Sequence, residues 1–291
     1  MIYSLENSSI RITASTYGGE IHSIKSKIDG IEYLWDGNAE YWKYHAPILF
    51  PIVGKVIDSK YRVDGKTYEL PQHGLARTSE FTLISKTENQ VTFELNFSEE
   101  SLRVYPYKFS LKSTYTLEDR TIKVTYSVKN LDHKKIYFSI GTHPAFMCPI
   151  NQNENLEDCY LEFSEKEIGN RKILTEEGYL SHNEDECLKS TDMLMLSKEL
   201  FKDDALVFDN LKSDKITIKS RNSNKALTVD FNGFPYMGIW APKAGAPFVC
   251  IEPWFGHADY EDFNGELSEK EGIISLEVEK EFNCTYKVTA I

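Results

Sequence analysis

The sequence predicts an all-β protein built from large antiparallel sheets packed face to face. Three observations carry that expectation: short runs of alternating apolar and polar residues recur along the whole chain, Asp-Gly dipeptides separate several of them, and no stretch keeps a 3.6-residue apolar period long enough for a packing helix. One large core suits this pattern, since sandwiches and barrels commonly exceed roughly 200 residues. Residues 1–291 are therefore expected to form a single domain.

The first third reads as strand after strand. Ser9 to Ala14 alternates with period two; Ile21 to Ile28 and Ile31 to Trp35 flank Asp29-Gly30; Lys60 to Val63 and Lys66 to Leu70 flank Asp64-Gly65. Asp-Gly is a strong hairpin signal because a two-residue turn of this kind needs positive φ at both centres. Phe81 to Lys86 and Val91 to Phe97 continue across Thr87 to Gln90, and Tyr107 to Leu117 with Arg120 to Lys129 form a longer hairpin turning at Glu118-Asp119. Between them, Ala46 to Lys55 is apolar and bracketed by prolines, which confines it to a sheet edge or a loop. From Asn151 to Leu196 the periodicity fades, and an elaborated loop region is expected. Ser197 to Phe201 reads as one helical turn behind a serine cap. Strands resume at Ala205 to Phe208, Lys215 to Lys219, Ala226 to Phe231, Tyr236 to Trp240, Pro247 to Glu252, Ile273 to Glu279 and Thr285 to Val288.

Composition excludes several functions. The net charge is −12, without the basic cluster that phosphate-backbone contacts require, so neither a nucleic acid nor an anionic membrane surface is an expected partner. No stretch approaches the roughly 20 apolar residues of a spanning helix, and the start lacks a basic flank followed by an apolar run, so a cytoplasmic protein is expected. The five cysteines are scattered without Cys-x-x-Cys spacing, which indicates neither a disulfide framework nor a thiolate zinc site.

Chemistry concentrates in three stretches. Ile140 to Phe146 places His143 where Gly141 and Pro144 break a β-branched, aromatic strand; Gln72 to Arg77 holds His73 beside Gly74 and a cation; Cys250 to Gly256 ends an apolar strand in Glu252 beside Trp254 and Phe255. Alternation puts Glu252 on the face of Phe248 and Cys250, and burial there would raise its pKa towards that of a general base, unless Arg77 or Lys55 pulled it down. A structural carboxylate is the competing reading. His257 and Asp259, just beyond, read as surface residues. Phe146, Trp240, Trp254 and Phe255 flank the polar groups, as a pyranose with an apolar face and a hydroxyl rim requires, though tryptophan in a sandwich also serves as core. Two histidines and one carboxylate also spell a metal site, which is the rival reading, but no short-spaced ligand pair gives it positive support and no metal is expected. A glycosidase would need two placed carboxylates, and only one acid is well placed.

Together, Gly-Thr-His-Pro-Ala-Phe at 141–146, His-Gly-Leu-Ala-Arg at 73–77 and Glu-Pro-Trp-Phe-Gly at 252–256 resemble the aldose 1-epimerase (galactose mutarotase-like) family, particularly its LacX-like branch. Leu49 to Lys55 and Ala205 to Asp209 extend the likeness. The resemblance implies a galactose-mutarotase-like supersandwich that interconverts α and β anomers of an aldohexose without a cofactor. By the same resemblance Glu252 is the base at the C1 hydroxyl and His143 the acid at the ring oxygen. His73 would bind near that oxygen, while Arg77, Lys55, Asp209 and Trp254 would hold the rest of the sugar. Leu75, where relatives acting on free galactose have glycine, and Lys55, where arginine is common, keep a hexose 6-phosphate open as substrate. A sugar-binding protein without turnover is the other alternative. A monosaccharide or sugar phosphate is thus the expected partner of a monomer or homodimer.

Overall fold

The computed structural model describes residues 1–151 and 153–291. Among these, a 15-stranded sheet runs along its main path through Ile48–Leu49, Ile140–Thr142, Phe248–Phe255, Tyr236–Trp240, Leu206–Asp209, Cys159–Leu174, Lys215–Ser220, Leu227–Asp230, Glu281–Ala290, Thr121–Asn130, Phe109–Glu118, Gln90–Asn96 and Thr82–Lys86. Ala145–Met147 joins it on Phe248–Phe255, and Leu180–Met195 joins on Cys159–Leu174. Neighbouring strands pair antiparallel, and a three-stranded sheet of Ile2–Glu6, Ile10–Ser15 and Ile21–Ser26 stands apart from it. The all-β expectation holds.

Local sequence explains most elements. Asp64 and Gly65 take φ of 52° and 74° between Lys60–Val63 and Lys66–Glu69, the double left-handed turn that Asp-Gly favours. Asp29-Gly30 also turns the chain, and the strand beyond it pairs back briefly: Lys25 bridges Glu32 antiparallel, the Ser26 N–H donates to Ile31 O at 2.8 Å and the Tyr33 N–H to Ile24 O at 2.9 Å. The chain then crosses to another partner, where the Trp35 N–H donates to Ala145 O at 2.9 Å and the Met147 N–H to Tyr33 O at 2.9 Å, because Tyr33, Leu34 and Trp35 are buried towards that segment. Ile48–Leu49 ends the main path of the large sheet, the edge position its prolines predict. Ser197 Oγ accepts from the Leu200 N–H at 3.3 Å and caps the turn Lys198–Phe201.

The stretch expected as loop is the main correction. Residues 159–195 carry two 16-residue strands, Cys159–Leu174 and Leu180–Met195, paired with register shifts between Glu162 and Glu167, Glu167 and Ile168, Gly169 and Asn170, and Lys172 and Leu174. Each shift resets which face a side chain takes, so the alternation of Cys159 to Phe163 does not continue along the pair. Of the polar tract 151–155, Gln152 lies outside the described residues.

One strand positions the site. Phe248–Phe255 is buried at every residue but the last, so both of its faces meet protein. Val249 and Ile251 enter the main core; on the opposite face Phe248 and Cys250 pack with Trp35 and Ala145, while Trp254 packs with Leu49, Val53 and Val207. Glu252 falls between those two small apolar clusters.

Candidate active site

Register brings the acid and the imidazole together. Ile140–Thr142 pairs with Phe248–Phe255 as Gly141↔Trp254, and Ala145–Met147 resumes on the same strand as Ala145↔Cys250. Stepping inward by two from each pair puts His143 directly opposite Glu252. Residues so opposed share a face with Cβ atoms about 4.5–5.5 Å apart, and here His143 Nδ1 lies 3.4 Å from Glu252 Oε1. Gly238 pairs Glu252 on its other side, and Val207 pairs Gly238, so the row continues across the sheet as a floor. Two glycines let the Trp254 indole lie flat on that floor: a Cβ at Gly141 would stand 2.5 Å from its ring and one at Gly238 2.3 Å.

A cavity of about 330 Å³ opens above. Trp42 stacks on His143 with centroids 4.7 Å apart, and Trp240 meets the same imidazole edge-on at 5.5 Å. His73 enters from the side, edge-on to His143 at 5.6 Å. Its backbone is left-handed, φ 66°, and is fixed by a bond from its N–H to Gly54 O at 2.8 Å. In return the Gly54 N–H donates to His73 Nδ1 at 3.1 Å. A nitrogen that accepts carries no proton, so the neutral ring holds its proton on Nε2 and is a donor there. Arg77 and Lys55 also line the cavity, each already donating to a carbonyl: Arg77 Nη2 to Gln72 O at 2.7 Å and Lys55 Nζ to Glu177 O at 2.5 Å.

Burial governs the electrostatics. It raises the Glu252 carboxyl well above the usual carboxylate range, with the Asp204 charge adding to the effect and the Trp254 indole opposing it. It lowers His143 to about 3, Arg77 adding to that, and holds His73 well below the ordinary imidazole range with His143, Arg77 and Lys55 pushing the same way. Glu252 is 1 % exposed, and both its Oε2 and His143 Nδ1 are buried without a hydrogen-bond partner. Each group alone thus prefers to be neutral, and together they hold one proton.

The chain matches the aldose 1-epimerase family over residues 1–275. It belongs to that family. It is 40 % identical over 265 residues to the chromosomal protein LacX of Lactococcus lactis subsp. lactis, covering 88 % of each chain. Among solved structures it superposes on a galactose mutarotase related enzyme of Lactobacillus acidophilus with TM-score 0.95 at 36 % identity, over 100 % of this chain and 97 % of that one. A galactose mutarotase-like protein from Lactobacillus casei gives TM-score 0.94 at 29 % identity, with 100 % of both chains covered. The fold is the galactose-mutarotase-like supersandwich, and the protein is an isomerase of sugars, a mutarotase at the family level.

Of the residues singled out from sequence, this aldose 1-epimerase gathers Glu252, His143, His73, Arg77, Lys55 and Trp254 around one cavity. Asp209 stands apart: it sits two residues beyond the cavity-lining Val207, on the same face, and pairs with Lys172 Nζ at 3.1 Å. The additional carboxylates at the cavity are Asp204 and Glu176, and Trp42 is a further aromatic wall. None of these three carried a signal in the sequence, being loop residues placed by tertiary contacts. Phe146 and Phe255 turn into apolar packing, leaving Trp240 and Trp254 as the cavity-lining pair of the four aromatics.

His257 and Asp259 correct the surface expectation. His257 is 1 % exposed and lines the cavity, its Nδ1 bonded to Ala258 O at 2.7 Å; Asp259 accepts from Lys270 Nζ at 2.6 Å and from the Ile57 N–H at 3.0 Å. A Gly-His-Ala-Asp sequence reads as polar loop, but the Asp259 charge is neutralised by Lys270, which arrives from later in the chain.

Proposed function

We propose that this aldose 1-epimerase interconverts the α and β anomers of a neutral aldohexose of the galactose or glucose type, with Glu252 as base and His143 as acid. The cross-strand pair at 3.4 Å on a buried floor is the observation that carries the reading. Acid–imidazole and carboxylate–imidazolium forms of this pair have the same net charge, so burial penalises the second far less than it penalises either ion alone. In that second form Glu252 removes the C1-hydroxyl proton as His143 delivers its own to the ring oxygen. The ring opens, the C1–C2 bond rotates, and the reverse transfers close it on the other face. His73 Nε2–H is a donor suited to the sugar near its ring oxygen, Trp42, Trp240 and Trp254 are suited to its C–H faces, and Asp204 and Arg77 to its hydroxyls. The volume lies at the small end of ligand sites, roughly 300–1,000 Å³, as one sugar ring requires.

The substrate is taken as unphosphorylated because Arg77 and Lys55 are already engaged and Glu176 and Asp204 share the cavity with them. Five free cysteines suit the reducing cytoplasm. Polarimetry on freshly dissolved α-D-galactose and α-D-glucose tests the assignment. Glu252→Gln, which keeps the shape and removes the base, is expected to lower turnover about 10²- to 10⁴-fold at an unchanged melting temperature. Near wild-type turnover would sink it.

A further inference from the structure

We infer that the floor of the cavity is also an inhibitory site for a soft divalent cation of the zinc type, held by His143, Glu252 and Cys250. Cys250 is two residues before Glu252 on the same strand face, diagonal to His143, so the ladder that makes the acid–base pair also delivers a sulfur to it. One ligand atom from each of the three residues lies within 4.8 Å of the other two, and all three side chains are buried. Ligands on tetrahedral zinc stand roughly 3.3–3.6 Å apart, given Zn–N and Zn–O near about 2.0 Å and Zn–S near about 2.3 Å. His143 Nδ1 and Glu252 Oε1 already stand at 3.4 Å.

A second observation points the same way. His143 Nδ1 and Glu252 Oε2 are buried and make no hydrogen bond, so two donor atoms at this spot lack any partner among the described residues. Nitrogen, sulfur and oxygen together select a cation of zinc or cobalt character over magnesium or calcium, which prefer oxygen alone. Binding forms a metal–sulfur bond and releases two protons to water, the thiol's and the one that the Glu252–His143 pair holds; the cavity side of the ion remains open as its fourth position. With Nδ1 and the carboxylate coordinated, neither can pass a proton, and the enzyme stops. This inhibitory half rests on Glu252 and His143 being the catalytic pair; the binding half does not.

Cobalt(II) titration of the intact protein separates the two. A sulfur-to-cobalt charge-transfer band in the near ultraviolet is expected at one equivalent, absent in Cys250→Ala, with zinc abolishing mutarotation in step with occupancy and chelator restoring it. Cys250→Ala without metal is expected to turn over as the wild type does, and to need at least about tenfold more zinc for half-inhibition, since losing a ligand atom costs no less than losing a partner that only orients one. No band in the wild type, or an undiminished band in Cys250→Ala, would overturn the site, and the wild-type spectrum decides even if the variant fails to fold. A band with unchanged turnover would leave the site standing and overturn the inhibition, and with it the assignment of the catalytic pair.

Discussion

At the scale of single residues the site is a proton shared between two groups that burial drives towards neutrality. Adding a second proton would put net positive charge on the pair beside Arg77, and removing the only one would leave a bare buried carboxylate. Both are resisted: His143 is held down to about 3 and Glu252 is pushed well above the carboxylate range. The signs follow directly. The acid limb of the kcat profile, set by His143 gaining its extra proton, moves below the ordinary imidazole range, and the alkaline limb, set by Glu252 losing the last proton, moves above the ordinary carboxylate range. In chelator-containing buffer kcat is expected to show no acid limb between roughly pH 5 and 8, the window in which an unperturbed histidine would titrate. A narrow bell centred near pH 6 to 7, about where a free imidazole titrates, would instead mean an exposed histidine acting alone. The sequence named both residues but could not oppose them, because the register Gly141↔Trp254 and Ala145↔Cys250 is a product of the assembled sheet.

Among the elements, the two long strands that escaped the sequence reading carry the cavity's outer wall. Leu174, Glu176, Gly178 and Leu180 line the cavity from the end of that hairpin, where the Gly178 N–H donates to Thr175 O at 2.9 Å and the Asp58 N–H to Tyr179 Oη at 3.0 Å. Lys55 fastens the turn through Glu177 O, and Gly178, with φ 85°, has Lys55 so near that a Cβ there would lie 3.3 Å from Nζ. The sequence points to Lys55 as a ligand for hydroxyls or an anion; from its bond to Glu177 O we propose that it also latches the wall of the cavity. Lys55→Met is therefore expected to raise KM by about 2- to 12-fold, the worth of one ordinary hydrogen bond of about 0.5–1.5 kcal/mol, with kcat little changed and faster amide exchange over residues 175–179. A KM effect with unaltered exchange would return Lys55 to direct contact with the sugar. Tight hairpins such as Lys60–Val63 with Lys66–Glu69 were legible because Asp64-Gly65 dictates its own geometry. The bulged pair was not, since its regularity lies in cross-strand hydrogen bonds that sequence alternation does not record.

For the whole molecule, fold class was legible because apolar alternation is sustained in long strands such as Phe109–Glu118, Thr121–Asn130 and Glu281–Ala290, whose inward residues are buried. Charge is a property of the same scale, and it bears on the substrate. A chain of net charge −12 repels an approaching phosphate. Inside the cavity Arg77 and Lys55 each donate to a carbonyl, Arg77 to Gln72 and Lys55 to Glu177, while Asp204 and Glu176 line the same walls. Long-range field and local contacts therefore act together against a phosphorylated sugar. The expected outcome is a kcat/KM for galactose 6-phosphate about tenfold or more below that for galactose, within the 10- to 10³-fold reach of electrostatic steering. Salt distinguishes this origin from a simple lack of space. Screening shortens to about 8 Å at 0.15 M ionic strength, so raising salt should bring the phosphorylated sugar closer to galactose, whereas a steric exclusion would leave the ratio unchanged. A phosphosugar preferred over galactose at low salt, and losing that advantage as salt rises, would show Arg77 and Lys55 released from their carbonyls to grip an anion, and would reverse the assignment of a neutral substrate.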